Sequence, residues 1–239
     1  MRTPRNFRAF LGCAGLAICV GSIATHAPAA AKPGSQTVVV TGTRQPAAPN
    51  LFGTVALPIK LSRYSEGWYR SRKDATRHPA MQRLIAPARA LPRNAQLAYV
   101  QSAVHRSIRW MSDATEWGRH DYWASASETL DHRAGDMEDR AIVKLQALKA
   151  LGFPSRDLYL TMGDDKVGGP IVVLVVRLDG RHYVLDDTGG SPYLSETRRA
   201  EFSPWMSFGS NKTWIHGKRV ARTGATTAAA AAGASAARK

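Results

Sequence analysis

The sequence predicts an α+β domain, with helices first and an antiparallel sheet after them. Two observations carry this. Apolar residues recur at steps of three and four over 95–113 and again over 137–151, the period of a helix with one buried stripe. Then an almost unbroken apolar, β-branched run, Ile171–Leu178, meets Asp179-Gly180 and a return strand, Arg181–Asp186. Asp-Gly between two such runs is a strong two-residue hairpin signal, and helices followed by paired strands segregate into an α+β layer.

The chain divides into four parts. Residues 1–31 read as a secretory signal: Arg2, Arg5 and Arg8 precede an apolar stretch from Phe10 to Ile23, and Ala27–Ala31 supplies small-x-small cleavage sites. The stretch is shorter than the roughly 20 apolar residues that span a bilayer. Cys19 follows the bulky Ile18, which argues against lipidation there. Residues 32–50 are rich in Pro, Gly, Ser, Thr and Ala and read as a flexible linker with one apolar island, Val38-Val39-Val40. Residues 51–217 are long enough for one domain with its own core. Residues 218–239 are a basic, Ala-rich tail of low complexity.

The formal charge is +15 at pH 7, and removing the signal arginines leaves +12. Export disfavours nucleic acid as the partner of that charge; contact with anionic envelope polymers is compatible with it. Cys13 and Cys19 are the only 2 cysteines and both lie in the signal. The exported chain therefore has neither a thiol nor a disulfide, and its stability must come from its core.

Within 51–94, prolines at 58, 79, 87 and 92 exclude a long helix, and Trp68 and Tyr69 anchor a short one. The helix over 95–113 has Asn94 as its expected N-cap, with Leu97, Val100, Val104, Ile108 and Met111 on its buried stripe. Trp117, Tyr122 and Trp123 pin the loop 116–127 to the core. The helix over 137–151 has Asp136 as its expected N-cap and Glu138 and Asp139 in its first turn, where the dipole favours negative charge. Ala141, Leu145, Leu148 and Leu151 form its apolar face, and Gly152 with Pro154 ends it.

From Leu97 to Gly217 the chain resembles the bacterial transglutaminase-like cysteine proteinases. The landmarks are Asp121-Tyr122-Trp123 with Glu128 and Leu130, then Gly135-Asp136-x-Glu138-Asp139 with Ala141 and Lys144, then Val184-Leu185-Asp186 and Trp214-x-His216-Gly217. The resemblance implies a periplasmic protein with a papain-like or transglutaminase-like core. It implies a triad of Cys, His and Asp, with the thiol at a helix N-terminus that lowers its pKa. At the thiol position this chain has Met137, and at the histidine position Ile171; the acid is retained as Asp186. A thioether cannot form the nucleophilic thiolate.

Hairpin geometry supports that alignment. A two-residue turn pairs Leu178 with Arg181 and Arg177 with His182, and by the same count sets Val173 opposite Asp186. Ile171 then lies on the same face, one diagonal from Asp186. His182 is four residues along the strand from Asp186, roughly 13 Å, and reads as a surface residue. His216 reads as structural, and His105, His120 and His132 lack metal-ligand spacing.

The resemblance also brings calcium: Asp136, Glu138 and Asp139 match family ligand positions, and carboxylate oxygens suit that ion. Ordinary helix capping accounts for the same three acids, so both readings stand at this point. Thr37–Arg44 resembles the segment by which TonB-dependent receptors contact their energy-coupling protein, a contact made by adding a strand to a sheet edge. The expected function is that of a catalytically inactive homologue that binds a protein or peptide, such as an adhesin or a membrane receptor. The competing expectations are a hydrolase using unrecognised residues and a structural, envelope-associated basic protein.

Overall fold

The computed structural model describes residues 47–218; the expected signal, the Thr37–Arg44 segment and nearly all of the basic tail lie outside them. A seven-stranded antiparallel sheet has the order β1-β9-β8-β4-β5-β6-β7. Its strands are β1 (Val55–Ile59), β4 (Leu158–Asp165), β5 (Gly169–Leu178), β6 (Arg181–Leu185), β7 (Tyr193–Leu194), β8 (Phe202–Phe208) and β9 (Thr213–Gly217). Six helices precede β4: α1 (Ser65–Ser71), α2 (Pro79–Ile85), α3 (Arg93–Ser107), α4 (Asp113–Glu116), α5 (Ala126–His132) and α6 (Met137–Ala150). Two short strands, β2 (Arg109–Trp110) and β3 (Ala134–Gly135), pair in parallel. The α+β class follows directly. Among the described residues no helix is long and apolar enough to cross a membrane.

The hairpin has the expected register. Leu178 pairs with Arg181, Arg177 with His182, and Leu174 with Leu185. Asp179 and Gly180 both have positive φ, 51° and 76°, as a turn matched to the strand twist requires. The same register carried one step further puts Val173 opposite Asp186, just beyond the end of β6.

α6 is the central element. Every residue from Asp139 to Leu148 is buried, because the sheet covers one side of the helix and the other helices cover the rest. The expected single apolar face is therefore too narrow. Four polar residues, Asp139, Arg140, Lys144 and Gln146, are enclosed with Ala141, Leu145 and Leu148. One core cluster joins α6 to Leu97, Val100, Val104, Leu160, Leu174 and Leu185. A second lies around Leu51, Phe52, Tyr159, Val175 and Trp214, with Ile171 and Tyr193 against it.

Three local expectations need correction. The helix expected over 95–113 runs from 93 to 107 with Pro92 as its N-cap. Ile108 turns extended so that the next two residues can pair with β3, a partner far along the chain. Tyr69 is 50% exposed, so Trp68 alone anchors α1. Residues 47–50 do not behave as linker: the Ala47 carbonyl accepts a bond from the Tyr159 hydroxyl at 3.0 Å, and Asn50 Oδ1 accepts from the Ala56 amide at 2.9 Å.

Candidate functional site

The sheet and α6 meet at a cleft. Met137 begins α6, Ile171 lies near the start of β5, and Asp186 follows β6. One half of the cleft, about 420 Å³, is lined by all three residues together with Trp110, Val167 and Tyr193. The other half, about 250 Å³, is lined again by Met137 and Ile171, now with Tyr64, Trp123 and Trp205. Met137 and Ile171, with Pro170, thus form the wall shared by both halves.

Asp186 is 6% exposed and held from several directions. Its Oδ1 accepts from Gln101 Nε2 at 3.0 Å, the Thr188 amide at 3.0 Å and the Thr188 hydroxyl at 2.7 Å. Lys144 Nζ donates to the Asp186 carbonyl. Burial lowers the Lys144 pKa to about 8, against the opposing pull of Asp187 and Asp186. Arg140 bonds both carboxylate oxygens of Asp187 at 3.1 Å, and also the Ile108 carbonyl at 2.8 Å. The buried polar residues of α6 therefore fix the strand end that carries Asp186.

Beside Met137 lies a knot of acids. Asp113, Asp136 and Asp139 each place an oxygen within 4.8 Å of the others, and Asp113, Asp121 and Glu138 form a second such trio. Asp136 occupies the N-cap position, with the Glu138 and Asp139 amides near its carboxylate but no well-formed capping hydrogen bond. Its Oδ1 is buried without a partner, as are Asp113 Oδ1 and Asp139 Oδ2. Asp139 Oδ1 accepts from the Ala124 amide at 2.8 Å, and Asp113 Oδ2 from the Tyr122 amide at 2.5 Å. Gly135 leaves room for this: a Cβ there would lie 2.8 Å from the Asp139 Cβ and 2.9 Å from its Oδ2.

Burial, with the neighbouring negative charges, makes the acids hard to ionise together. Burial and then Asp113 push Asp136 up to about 6. Burial and then Asp136 push Glu138 up to about 9 and Asp139 up to about 8. Helix capping accounts for part of this arrangement, since the Glu138 and Asp139 amides lower the Asp136 pKa against the effect of burial. Converging oxygens without partners fit a hard divalent cation held by Asp113, Asp136 and Asp139, with Asp121 and Glu138 alongside. Asp113 and Asp121 are ligand candidates that sequence reasoning missed. Asp113 was expected to end a helix rather than to start α4, and Asp121 carried a signal only as the neighbour of Tyr122-Trp123.

A model of the family described as bacterial transglutaminase-like cysteine proteinase BTLCP matches residues 60–216. The chain belongs to this family. Among solved structures, calcium-bound LapG of Legionella pneumophila is 26% identical to this proteinase-family member, with a TM-score of 0.50 over 63% of this chain and 84% of LapG. EGTA-treated LapG of the same organism is also 26% identical, with a TM-score of 0.49 over 66% of this chain and 87% of LapG. No curated protein matches the chain.

In this family member the histidines serve different ends. His120 lines the smaller half of the cleft, beside the acids. His182 is half-buried rather than on the surface, its ring edge-on to Tyr159 at 6.4 Å. His132 stacks on Trp117 at 4.5 Å. His216 sits in a closed hydrogen-bond chain. The Thr54 hydroxyl gives its proton to the Leu51 carbonyl at 2.7 Å, so it must accept from His216 Nδ1 at 2.8 Å. His216 Nε2 then accepts from the Ser207 hydroxyl at 2.8 Å, and Ser207 accepts from Thr161 at 2.8 Å. This chain needs a neutral imidazole with its proton on Nδ1, and burial lowers the His216 pKa to about 4.

Proposed function

We propose that this protein is a non-catalytic member of its family that works by binding a peptide segment of a protein partner in the cleft. The observation that carries the reading is the pair Met137 and Ile171 at the centre of the cleft, at the positions where the family resemblance expects thiol and imidazole. A thioether gives no thiolate and an isoleucine moves no proton. Both cysteines lie outside the described domain. In place of reacting groups the cleft offers apolar surface, and its lining residues Trp110 and Val167 are 55% and 98% exposed. Exposed apolar groups gathered at a concave site suit a binding surface.

Calcium is the cation proposed for the acid knot. LapG has been solved in a calcium-bound form, and two trios of carboxylates that share Asp113 lie here, with one oxygen each of Asp113, Asp136 and Asp139 buried without a partner. Bound there, the ion would neutralise the acids and tie the loop bearing Asp121 to the start of α6. The protein is proposed to act in the periplasm, exported by residues 1–31, with Thr37–Arg44 as a second contact segment for a receptor's coupling machinery.

The test is binding and turnover measured together. Purified protein is titrated into fluorescent peptides from candidate surface proteins, and the peptides are then analysed by mass spectrometry. The expected result is saturable binding with the peptides intact, weakened by Met137→Asp. Cleavage that vanishes in Asp186→Ala would overturn the reading.

A further inference from the structure

A second cavity lies away from the cleft, where the ends of three helices meet. It has a volume of about 520 Å³ and is lined by Arg83 from α2, Arg106 from α3 and Arg133 after α5, with Leu84, Ile108 and Leu130 among its apolar lining. No acidic residue lines it. Asp131, two residues before Arg133, faces His78 at 3.2 Å instead. Among the described residues, no acid lies within ion-pair distance of these three arginines. Arg140, Arg156, Arg177, Arg181 and Arg198 have one, whereas most other arginines of the domain, like these three, do not.

Arg133 is also in a costly conformation. It caps α5 with φ 53° and ψ 30°, the left-handed region. Glycine is the usual residue there, since a Cβ meets the following carbonyl. The conformation is fixed from outside, because the Arg133 carbonyl accepts the Arg109 amide at 2.9 Å as β2 and β3 come together. A basic residue in a last helical turn is favoured by the helix dipole, which explains Arg83 or Arg106 taken singly. It does not explain an arginine held where glycine belongs.

We infer that this cavity is a binding site for a phosphoryl group carried on a ligand with an apolar portion. Guanidinium forks match phosphate oxygens two at a time. Three of them suit a dianion better than a single carboxylate, and Leu84, Ile108 and Leu130 offer surface to the carbon part. The site is independent of the cleft and of the peptide-binding reading.

The test compares wild type with Arg106→Gln/Arg133→Gln and with a charge-matched control, Arg156→Gln/Arg181→Gln, all in calcium-free buffer. Inorganic phosphate, and separately vesicles of phosphatidic acid in phosphatidylcholine, are titrated against each. Saturable binding that falls at least about tenfold in the cavity variant and persists in the control supports the site. Response to free phosphate identifies a soluble ligand, and response to the vesicles alone identifies a lipid headgroup. Equal binding by both double variants, or no saturable response of wild type to either probe, overturns it. Arg133→Gly is the sharper variant: Tm should rise by about 2–4 °C as strain is released while binding weakens. A lower Tm with unchanged binding would assign Arg133 to the fold alone and overturn the proposal.

Discussion

His216 makes the response of this protein to acid predictable. The folded state keeps the imidazole neutral down to about pH 4, whereas an ordinary histidine protonates near 6.5. Between those values the unfolded chain binds more protons, so acidification favours it. The contribution is fully present above about pH 6.5 and is lost as pH falls toward 4. At about 1.4 kcal/mol per pH unit the gap amounts to about 3 kcal/mol, a large share of the roughly 5–15 kcal/mol that holds a typical domain together. The cause is the polarity of the chain: protonating Nε2 turns an acceptor into a donor facing the proton of Ser207. The assay is urea unfolding followed by tryptophan fluorescence at pH 7.5, 6, 5 and 4.5, for wild type and His216→Asn. Other titrating groups cancel in the difference between the two proteins. Wild type should be the more stable at pH 7.5, and its advantage should shrink by about 2–3 kcal/mol by pH 4.5. A difference that stays constant across that range would refute the reasoning.

Three further outcomes are expected. Calcium at a hundred times its Kd should stabilise the protein by about 2.7 kcal/mol, seen as a rise in Tm. Asp139→Asn should abolish that rise and Glu66→Gln should keep it; a rise unaffected by Asp139→Asn would remove the acid knot from consideration. Asp186→Ala should cost about 2–4 kcal/mol in urea unfolding, because Gln101 and Thr188 lose their shared acceptor in a buried place, with Asp186→Asn costing less. Met137→Cys/Ile171→His should be alkylated by iodoacetamide at pH 6 faster than Met137→Cys alone, since an imidazole one diagonal from Asp186 can lower the thiol pKa. Identical pH profiles for the two variants would count against the placement of these residues.

Some of this architecture was legible because its causes are local. Asp179-Gly180 sets a turn, the turn sets a register, and the register places Ile171 and Asp186 on one face. Asp136 and Gly152 likewise bracket α6, Met137–Ala150, to within two residues. What was hidden has distant causes. Nothing near Ile108 announces that α3 must stop to pair β2 with β3, and so nothing shows that Asp113 turns back to the acids. β1 has no partner until the last residues of the domain. The burial of Lys144 and Arg140 is unreadable without knowing that α6 is enclosed on every side. One local signal was overlooked: Ser125 and Glu128 form a reciprocal capping box at the start of α5, the spacing such boxes always have. The triad positions were reached through the family resemblance, and the structure adds that Met137 and Ile171 share one wall.

The pairing of β1 with β9 also bears on how the chain reaches this state. Val55 faces Gly217 and Ile59 faces Thr213, a contact between residues roughly 160 positions apart, and closing so large a loop is slow. The β4–β5–β6 meander can assemble from neighbours, but β8 keeps an open edge until the final five-residue strand arrives. A chain stopped before Thr213 would expose that edge and deprive Ser207 of its His216 partner, and it would be a substrate for aggregation and proteolysis rather than a smaller working protein.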